Sequence, residues 1–279
     1  MPELPEVETV ARSLRLGSRL GPDGTPMPAV LGEQIQSAFL AWERTLAEPG
    51  VDELYARLPG QSVRDVTRRG KFLQLILDRD VLLFHLRMSG DLIVKSASLP
   101  PAAHDRFWLH FRSGRRLAFN DPRKFGRVWL VADPQVVVGG LGPEPLDPAL
   151  TLADFSNALH ARHRQIKPLL LDQSFLAGLG NIYTDEALYR ARIHPLRLAD
   201  SLSEEEIARL LPAIREVLEE GIRRQGASID WVYRGGDFQN AFRVYQQTGK
   251  PCPTCGTPIQ RTVIGQRGTH FCPVCQPFE

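Results

Sequence analysis

The 279-residue chain is 43% hydrophobic and 24% charged, with a formal net charge of +2. This is globular composition, which excludes a disordered chain, and no apolar run reaches the length that spans a bilayer. The weak net charge names no partner, but basic residues cluster: seven Lys/Arg against two Asp lie between His104 and Arg127, and Arg64, Arg68, Arg69 and Lys71 form a second group. Such patches suit a polyanion, although solvated strand faces carry the same charges more often. The N-terminus is acidic where a secretory signal is basic, which gives the expectation of a cytoplasmic protein.

The opening "MPELPEVETV" predicts a helix. Pro5 suits the first turn, Glu6 and Glu8 suit the positive end of the dipole, and Val7, Val10, Ala11 and Leu14 form an apolar stripe. Pro2 and Glu3 are not explained by helix formation. The Gly/Pro-rich "GSRLGPDGTPMPAVLG" reads as an exposed loop. "KFLQLILDRD" and "VLLFHLRMSG" predict two strands around a turn at Asp78–Asp80, "RFWLHFRSGRRLAFND" two more around Ser113–Gly114, and "RVWLV" another. Short strands at this spacing predict an antiparallel sandwich or barrel. "GGLGPEPLDP" is a linker by composition.

The second half is helical. "TLADFSNALHARH" is amphipathic, and "SLSEEEIARLLPAIREVLEEGIRR" opens on a capping box of Ser203 and Glu206, with Pro212 expected to kink the helix or displace its start. Between them, Gly178, Gly180 and Asn181 precede the "IYTDEALYRA" helix. Amides at such a terminus make a ready anion site, with Asn181 also a candidate N-cap.

All four cysteines fall near the end, as Cys252-x2-Cys255 and Cys272-x2-Cys275 with sixteen residues between the pairs. Two such knuckles complete a tetrahedral sulfur shell that suits one structural zinc. Two disulfides and an iron–sulfur cluster are the alternatives. The disulfides fit poorly with a chain lacking an export signal, and knuckles on a short hairpin favour zinc. A segment this short lacks a core, so zinc would supply its folding free energy.

"MPELPEVETV", "DPRKFGR", "AGLGNIYTDEALYRARIHP" and "GQRGTHFCPVCQ" occur in this order along the chain. In them the sequence resembles the bacterial formamidopyrimidine-DNA glycosylase family, in its purine-lesion branch, over essentially its whole length. The resemblance implies an α+β multidomain fold: an N-terminal antiparallel β-sandwich flanked by helices, a helix-two-turns-helix domain and a C-terminal zinc-finger β-hairpin. With the composition breaks, it divides the chain into 2–138, a linker at 139–150, 151–244 and 245–279. It also implies a monomeric bacterial enzyme, active at the nucleoid, that takes damaged double-stranded DNA and no membrane partner. It needs zinc but no organic cofactor, excises oxidised purines such as 8-oxoguanine and formamidopyrimidines, and then nicks the abasic strand.

The resemblance gives Pro2 and Glu3 a chemical reading. Removal of Met1 exposes a secondary amine whose pKa of about 7.7–8.0 leaves a useful neutral fraction. Attack on the sugar C1′ displaces the base and leaves an iminium that acidifies C2′, and Glu3 is the expected general acid/base. Glu6 is expected to support the site or only to stabilise the helix. Lys71 in "RRGKFL" is expected to contact phosphate and assist the lyase step. A flipped base leaves a gap that the family fills with a methionine, an arginine and a phenylalanine, here Met88, Arg123 and Phe125. His85, Lys167, Gly180, Asn181 and Arg267 are the expected phosphate contacts, with Arg267 clamping close to the lesion and counted with the catalytic set. The stretch from Gly17 to Gly32 is longer than is usual in the family. The 226–246 segment stands where the family covers the flipped base. Neither is assigned a residue-level role.

Three rivals remain open on the sequence: the endonuclease VIII branch, which prefers oxidised pyrimidines; a non-catalytic zinc-ribbon DNA-binding protein; and a nucleotide-metabolism enzyme. The "PELPEVET" opening favours the purine branch. Retention of Pro2, Glu3 and Lys71 speaks against the second rival, and the lack of a phosphate-cradling Gly-rich loop after a strand against the third.

Overall fold

The computed structural model, which describes residues 1–17, 19–20, 24–228 and 235–278, begins with helix α1 (Leu4–Leu16). Glu3 occupies the N-cap, Pro5 lies in the first turn and Gly17 ends the helix at φ 74°. Val7, Val10, Ala11 and Leu14 all enter the core, so the predicted stripe is the buried face. The chain falls into two compact units: Met1–Gly140 with Gln225–Gly236, and Leu141–Arg224 with Asp237–Glu279.

In the first unit follow β1 (Ile35–Leu40), β2 (Leu46–Glu48), α2 (Val51–Arg57), β3 (Asp65–Arg69), β4 (Phe72–Ile76), β5 (Val81–His85), β6 (Asp91–Ser96), β7 (Asp105–Phe111), β8 (Arg115–Asn120), β9 (Arg127–Val131) and the short α3 (Gln135–Val138). One sheet has the order β1-β7-β8-β6 and the other β2-β9-β5-β4-β3. Every pairing is antiparallel except β2 with β9. Phe84 of one sheet meets Phe107 and Phe119 of the other, at ring-centroid distances of 6.0 and 5.6 Å. The predicted sandwich is therefore two sheets closed over one apolar core. Helix α1 packs against β3 and β4, and Arg68 of β3 reaches Glu8 at 2.8 Å.

The Gly17–Gly32 stretch is not simply an exposed loop. Met27 and Val30 join the core, and Arg19 forms a buried bidentate pair with Asp91 at 2.7 Å per bond. Composition identified the turns and missed the apolar anchors between them.

The second unit holds α4 (Leu152–His160), α5 (Ile166–Leu171), α6 (Asn181–Ala191), α7 (Glu204–Arg223) and a hairpin of β10 (Gln260–Ile264) and β11 (Arg267–Phe271). Helix α7 starts at the predicted capping box and runs through Pro212, so the later start is excluded. Gly221 lets α7 approach α6, because a Cβ there would collide with the Tyr183 ring. The composition that marked a linker belongs to bonded chain from Leu141 onward. Gly142 N–H donates to the Gln173 carbonyl at 2.9 Å, and the Arg215 guanidinium donates to the carbonyls of Pro145 and Leu150 at 2.7 Å each.

Candidate functional site

At the N-terminus Pro2, Glu3 and Glu6 are all buried. Glu6 reaches back: its Oε2 accepts the Glu3 N–H at 2.8 Å, while Oε1 accepts the Ala227 N–H at 2.8 Å. Residue 226 must be glycine here. Its φ is +81° and a Cβ would lie 2.7 Å from Glu6 Oε1. Ser228 and Gly236 then exchange two hydrogen bonds, 2.9 Å from the Ser228 hydroxyl to the Gly236 carbonyl and 3.1 Å from the Gly236 N–H back to the hydroxyl. The 226–246 segment therefore departs from a neck fixed beside Glu6, and residues 229–234 lie outside the described residues.

Gly70 and Lys71 form the turn joining β3 to β4, the two strands on which α1 packs. Lys71 is only 6% exposed, so its ammonium is not a solvated strand end. His85 pairs across β4–β5 with Phe72, whose ring meets the imidazole edge-on at 4.7 Å. Burial, then the cations of Arg87 and Lys71, push the His85 pKa down to about 3. Its Nδ1 accepts the Arg87 N–H at 3.1 Å, which assigns the proton of the neutral ring to Nε2.

Met88 and the Arg123–Phe125 pair sit on two loops tied together. The Ser89 hydroxyl donates to Asp121 Oδ1 and accepts the Arg123 N–H at 3.2 Å; Asp121 Oδ2 accepts the Gly126 N–H at 2.7 Å. Gly90 and Gly126 both lie on the Phe119 ring, where a Cβ at either would collide with it. On this base Met88 is half-buried, Phe125 is 52% exposed, and the Arg123 guanidinium lies 5.1 Å from the Phe125 ring centroid. The Phe125 ring is therefore presented to solvent at a braced loop tip and does not pack into the core of its own unit.

In the second unit Gly180 is the N-cap of α6 and Asn181 its first residue, so the cap is the glycine rather than the asparagine. Asn181 Nδ2 donates to the Gly268 carbonyl at 2.8 Å. Arg267 is exposed at the head of β11, beyond a turn in which Gly265 and Gln266 both take positive φ. Lys167 does not stand at the surface. It is fully buried, 2.5 Å from Asp185 Oδ1 and 3.1 Å from the Gly268 carbonyl, and Asp185 Oδ2 accepts the His270 N–H at 2.9 Å. A buried ammonium paired with a carboxylate and with the Gly268 carbonyl acts as a strut for the Arg267 hairpin rather than standing as an exposed cation. Next to it, Glu186 accepts N–H groups of Arg243, Val244 and Tyr245 at 2.8–3.1 Å, and burial pushes its pKa up. Asp185 and Glu186, Ser89 and Asp121, and the Gly226–Ala227 step were all missed in the sequence. The only signal for the first pair was two adjacent carboxylates in the middle of a helix.

The Sγ atoms of Cys252, Cys255, Cys272 and Cys275 lie within 4.8 Å of one another. Two edges of this cluster are 3.8 Å for Cys252–Cys275 and 3.5 Å for Cys255–Cys272, against about 3.8 Å for a tetrahedron with the usual zinc–sulfur distance. Backbone N–H groups of Thr254 and Cys275 point at Cys252 and Cys272 Sγ at 3.4 Å each, as second-sphere donors do. The four cysteines fit one structural zinc, with every position filled by protein.

A β-sandwich, a helical unit whose α6 opens on glycine, and a four-cysteine hairpin define a zinc-finger multidomain class of protein. Residues 1–128 match the formamidopyrimidine-DNA glycosylase N-terminal domain, 141–232 the formamidopyrimidine-DNA glycosylase H2TH domain, and 249–277 the zinc finger found in FPG and IleRS. The chain belongs to the formamidopyrimidine-DNA glycosylase family. It is similar to the formamidopyrimidine-DNA glycosylase of Enterococcus faecalis, with 43% identity over 100% of this chain and 98% of that one. The Chloroflexus aurantiacus enzyme is 45% identical over 99% and 98%. A structure of Lactococcus lactis Fpg with N7-benzyl-Fapy-dG DNA is similar at 36% identity and TM-score 0.90, covering 99% of this chain and 100% of that one. A MutM complex with carbocyclic 8-oxo-G DNA gives 37%, 0.88, 99% and 100%. No helix among the described residues is long and apolar enough to cross a membrane.

Proposed function

We propose that this DNA glycosylase excises oxidised purines, 8-oxoguanine and formamidopyrimidines, from duplex DNA and then cleaves the abasic strand, with Pro2 as nucleophile. The observation that carries the assignment to Pro2 is the ordered, buried N-terminus, in which Glu3 and Glu6 are 2% exposed and bonded rather than frayed. DNA complexes of its relatives with 8-oxo-G and N7-benzyl-Fapy-dG support the lesion class.

With Met1 removed, the neutral Pro2 nitrogen bonds to C1′, the C1′–base bond breaks with its electron pair leaving on the base, and the proton shed by the nitrogen neutralises the departing base. Glu3 protonates the ring oxygen, so the opened sugar is held to proline as an iminium. Glu3 then takes a C2′ proton; elimination releases the 3′ phosphate, a second elimination releases the 5′ phosphate, and water hydrolyses the iminium to free Pro2. Lys71 assists as phosphate contact and proton donor. Neutral His85, donating through Nε2, and the Gly180, Asn181 and Arg267 group are further phosphate contacts. Met88, Arg123 and Phe125 fill the gap left by the flipped nucleotide. The chain acts as a monomer in the cytoplasm, at the nucleoid.

Borohydride reduction in the presence of a duplex with one 8-oxoguanine opposite cytosine tests this. A covalent adduct mapped to Pro2, lost in Pro2→Gly and Glu3→Gln, is the expected result. Tight binding without an adduct would reduce the protein to a non-catalytic DNA binder.

A further inference from the structure

Lys124 lies between Arg123 and Phe125 and takes φ 61°, a left-handed conformation that side chains other than glycine rarely adopt. That turn lets residues 123 and 125 approach, so that the guanidinium and the ring stack at the loop tip. The Lys124 side chain runs the other way. Its ammonium sits 3.9 Å from the ring centroid of Trp42, cation over π-face.

Trp42 is itself held on both sides of this loop. Ala41 N–H donates to the Arg106 carbonyl at 2.9 Å, and the Arg106 guanidinium donates to the Asp121 carbonyl at 2.8 Å, at the loop's entry. On the other side the Arg127 guanidinium, at the loop's exit, donates to the Arg44 carbonyl, and Thr45 N–H returns to the Trp42 carbonyl at 2.9 Å. The backbone on either side of Trp42 is thus fixed to the residues that begin and end the 121–127 loop, and the Lys124 ammonium rests on its indole.

We infer that Trp42 is a positioning residue for base extrusion: through Lys124 it holds the loop in the left-handed turn that presents Arg123 and Phe125 to the DNA. This rests on the insertion role given to Arg123 and Phe125 above. Trp42 touches neither DNA base nor sugar in this role. Its effect falls on steps that need insertion and spares those that do not.

The test compares excision of 8-oxoguanine from duplex with nicking of an abasic site in single-stranded DNA, which has no partner strand to invade. Trp42→Ala should slow duplex excision by about two- to fivefold, the worth of an exposed cation–π contact. Single-strand nicking and thermal unfolding should stay at wild-type values. Trp42→Phe, which keeps a π-face, should recover most of the loss, and Lys124→Met should reproduce it. Trp42→Ala excising at the wild-type rate would overturn the inference, as would an equal fall in both reactions, which places Trp42 in general stability. A wild-type protein that fails to excise in the same assay takes the tether down together with the proposed function, whereas an active wild type beside an unaffected Trp42→Ala removes the tether alone.

Discussion

The Glu6 carboxylate joins Ala227 to the N-terminus across 221 positions of sequence, accepting the Ala227 N–H with one oxygen and the Glu3 N–H with the other, each at 2.8 Å. Glu6→Ala leaves two buried donors without these acceptors, at about 1–3 kcal/mol each. Glu6→Gln keeps one acceptor oxygen and should lose about half as much. Urea midpoints of the two variants read that order. If Glu6 served only the helix dipole, Glu6→Gln and Glu6→Ala would each shift stability by less than about 1 kcal/mol.

Gly126 leaves no room for a Cβ, because the Phe119 ring fills the space. Gly126→Ala must displace either the ring or the loop, and overpacking of this kind costs about 1–3 kcal/mol. The loop is the softer of the two, so duplex excision should fall along with stability. Phe119→Leu opens the space, and the double variant should regain loop function while retaining a core defect. Excision rates for the single and double variants decide it. No recovery in the double variant would mean that the ring is not what constrains the loop.

His85 sets a pH dependence with a definite sign. Its folded pKa, about 3, lies below the ordinary value of 6.5. Between those values the unfolded chain binds a proton that the folded chain refuses, so stability falls as pH drops below about 6.5 and levels out near 3. The slope from this one group approaches about 1.4 kcal/mol per pH unit within the window. His85→Gln should flatten that part of the stability curve and leave the curve above pH 7 parallel to wild type. An unchanged slope between pH 6 and 4 would show that His85 titrates normally.

Elements whose patterns matched their burial were legible. In β7, alternate side chains are buried along its length, and the α7 capping box stands at its predicted place. Strand β3 was not visible, because four residues of "DVTRR" are polar and only Val66 is fully buried; its place comes from pairing with β4 and from α1 above it. Strand β1 carries a register shift between Ile35 and Ser37 that breaks the period, and β2 has only three residues. The site divides in the same way. Cysteine spacing is a local signal and placed the zinc ligands directly. Lys167 has no local mark that separates a surface cation from a buried one, and its partners Asp185 and Gly268 are 18 and 101 positions away. Long-range bonds between polar groups, such as Ser89 with Asp121, leave no period to read.

Arg267 and the zinc module together give the last expectation. The arginine is exposed on a hairpin whose Gly268 carbonyl is held by Lys167 and Asn181, while the far end of the hairpin is held by the four cysteines. One phosphate contact contributes about 0.9 to the slope of log affinity against log salt. Arg267→Ala should therefore weaken binding to damaged and undamaged duplexes alike and make that slope shallower by about 0.9. Zinc removal by a chelator unfolds the segment that orders the hairpin, so it should release about one zinc per chain and cost at least as much affinity as Arg267→Ala. Adding Arg267→Ala to the zinc-free protein should then change nothing further. A full additional loss in that double condition would mean that Arg267 reaches phosphate without the metal-ordered hairpin.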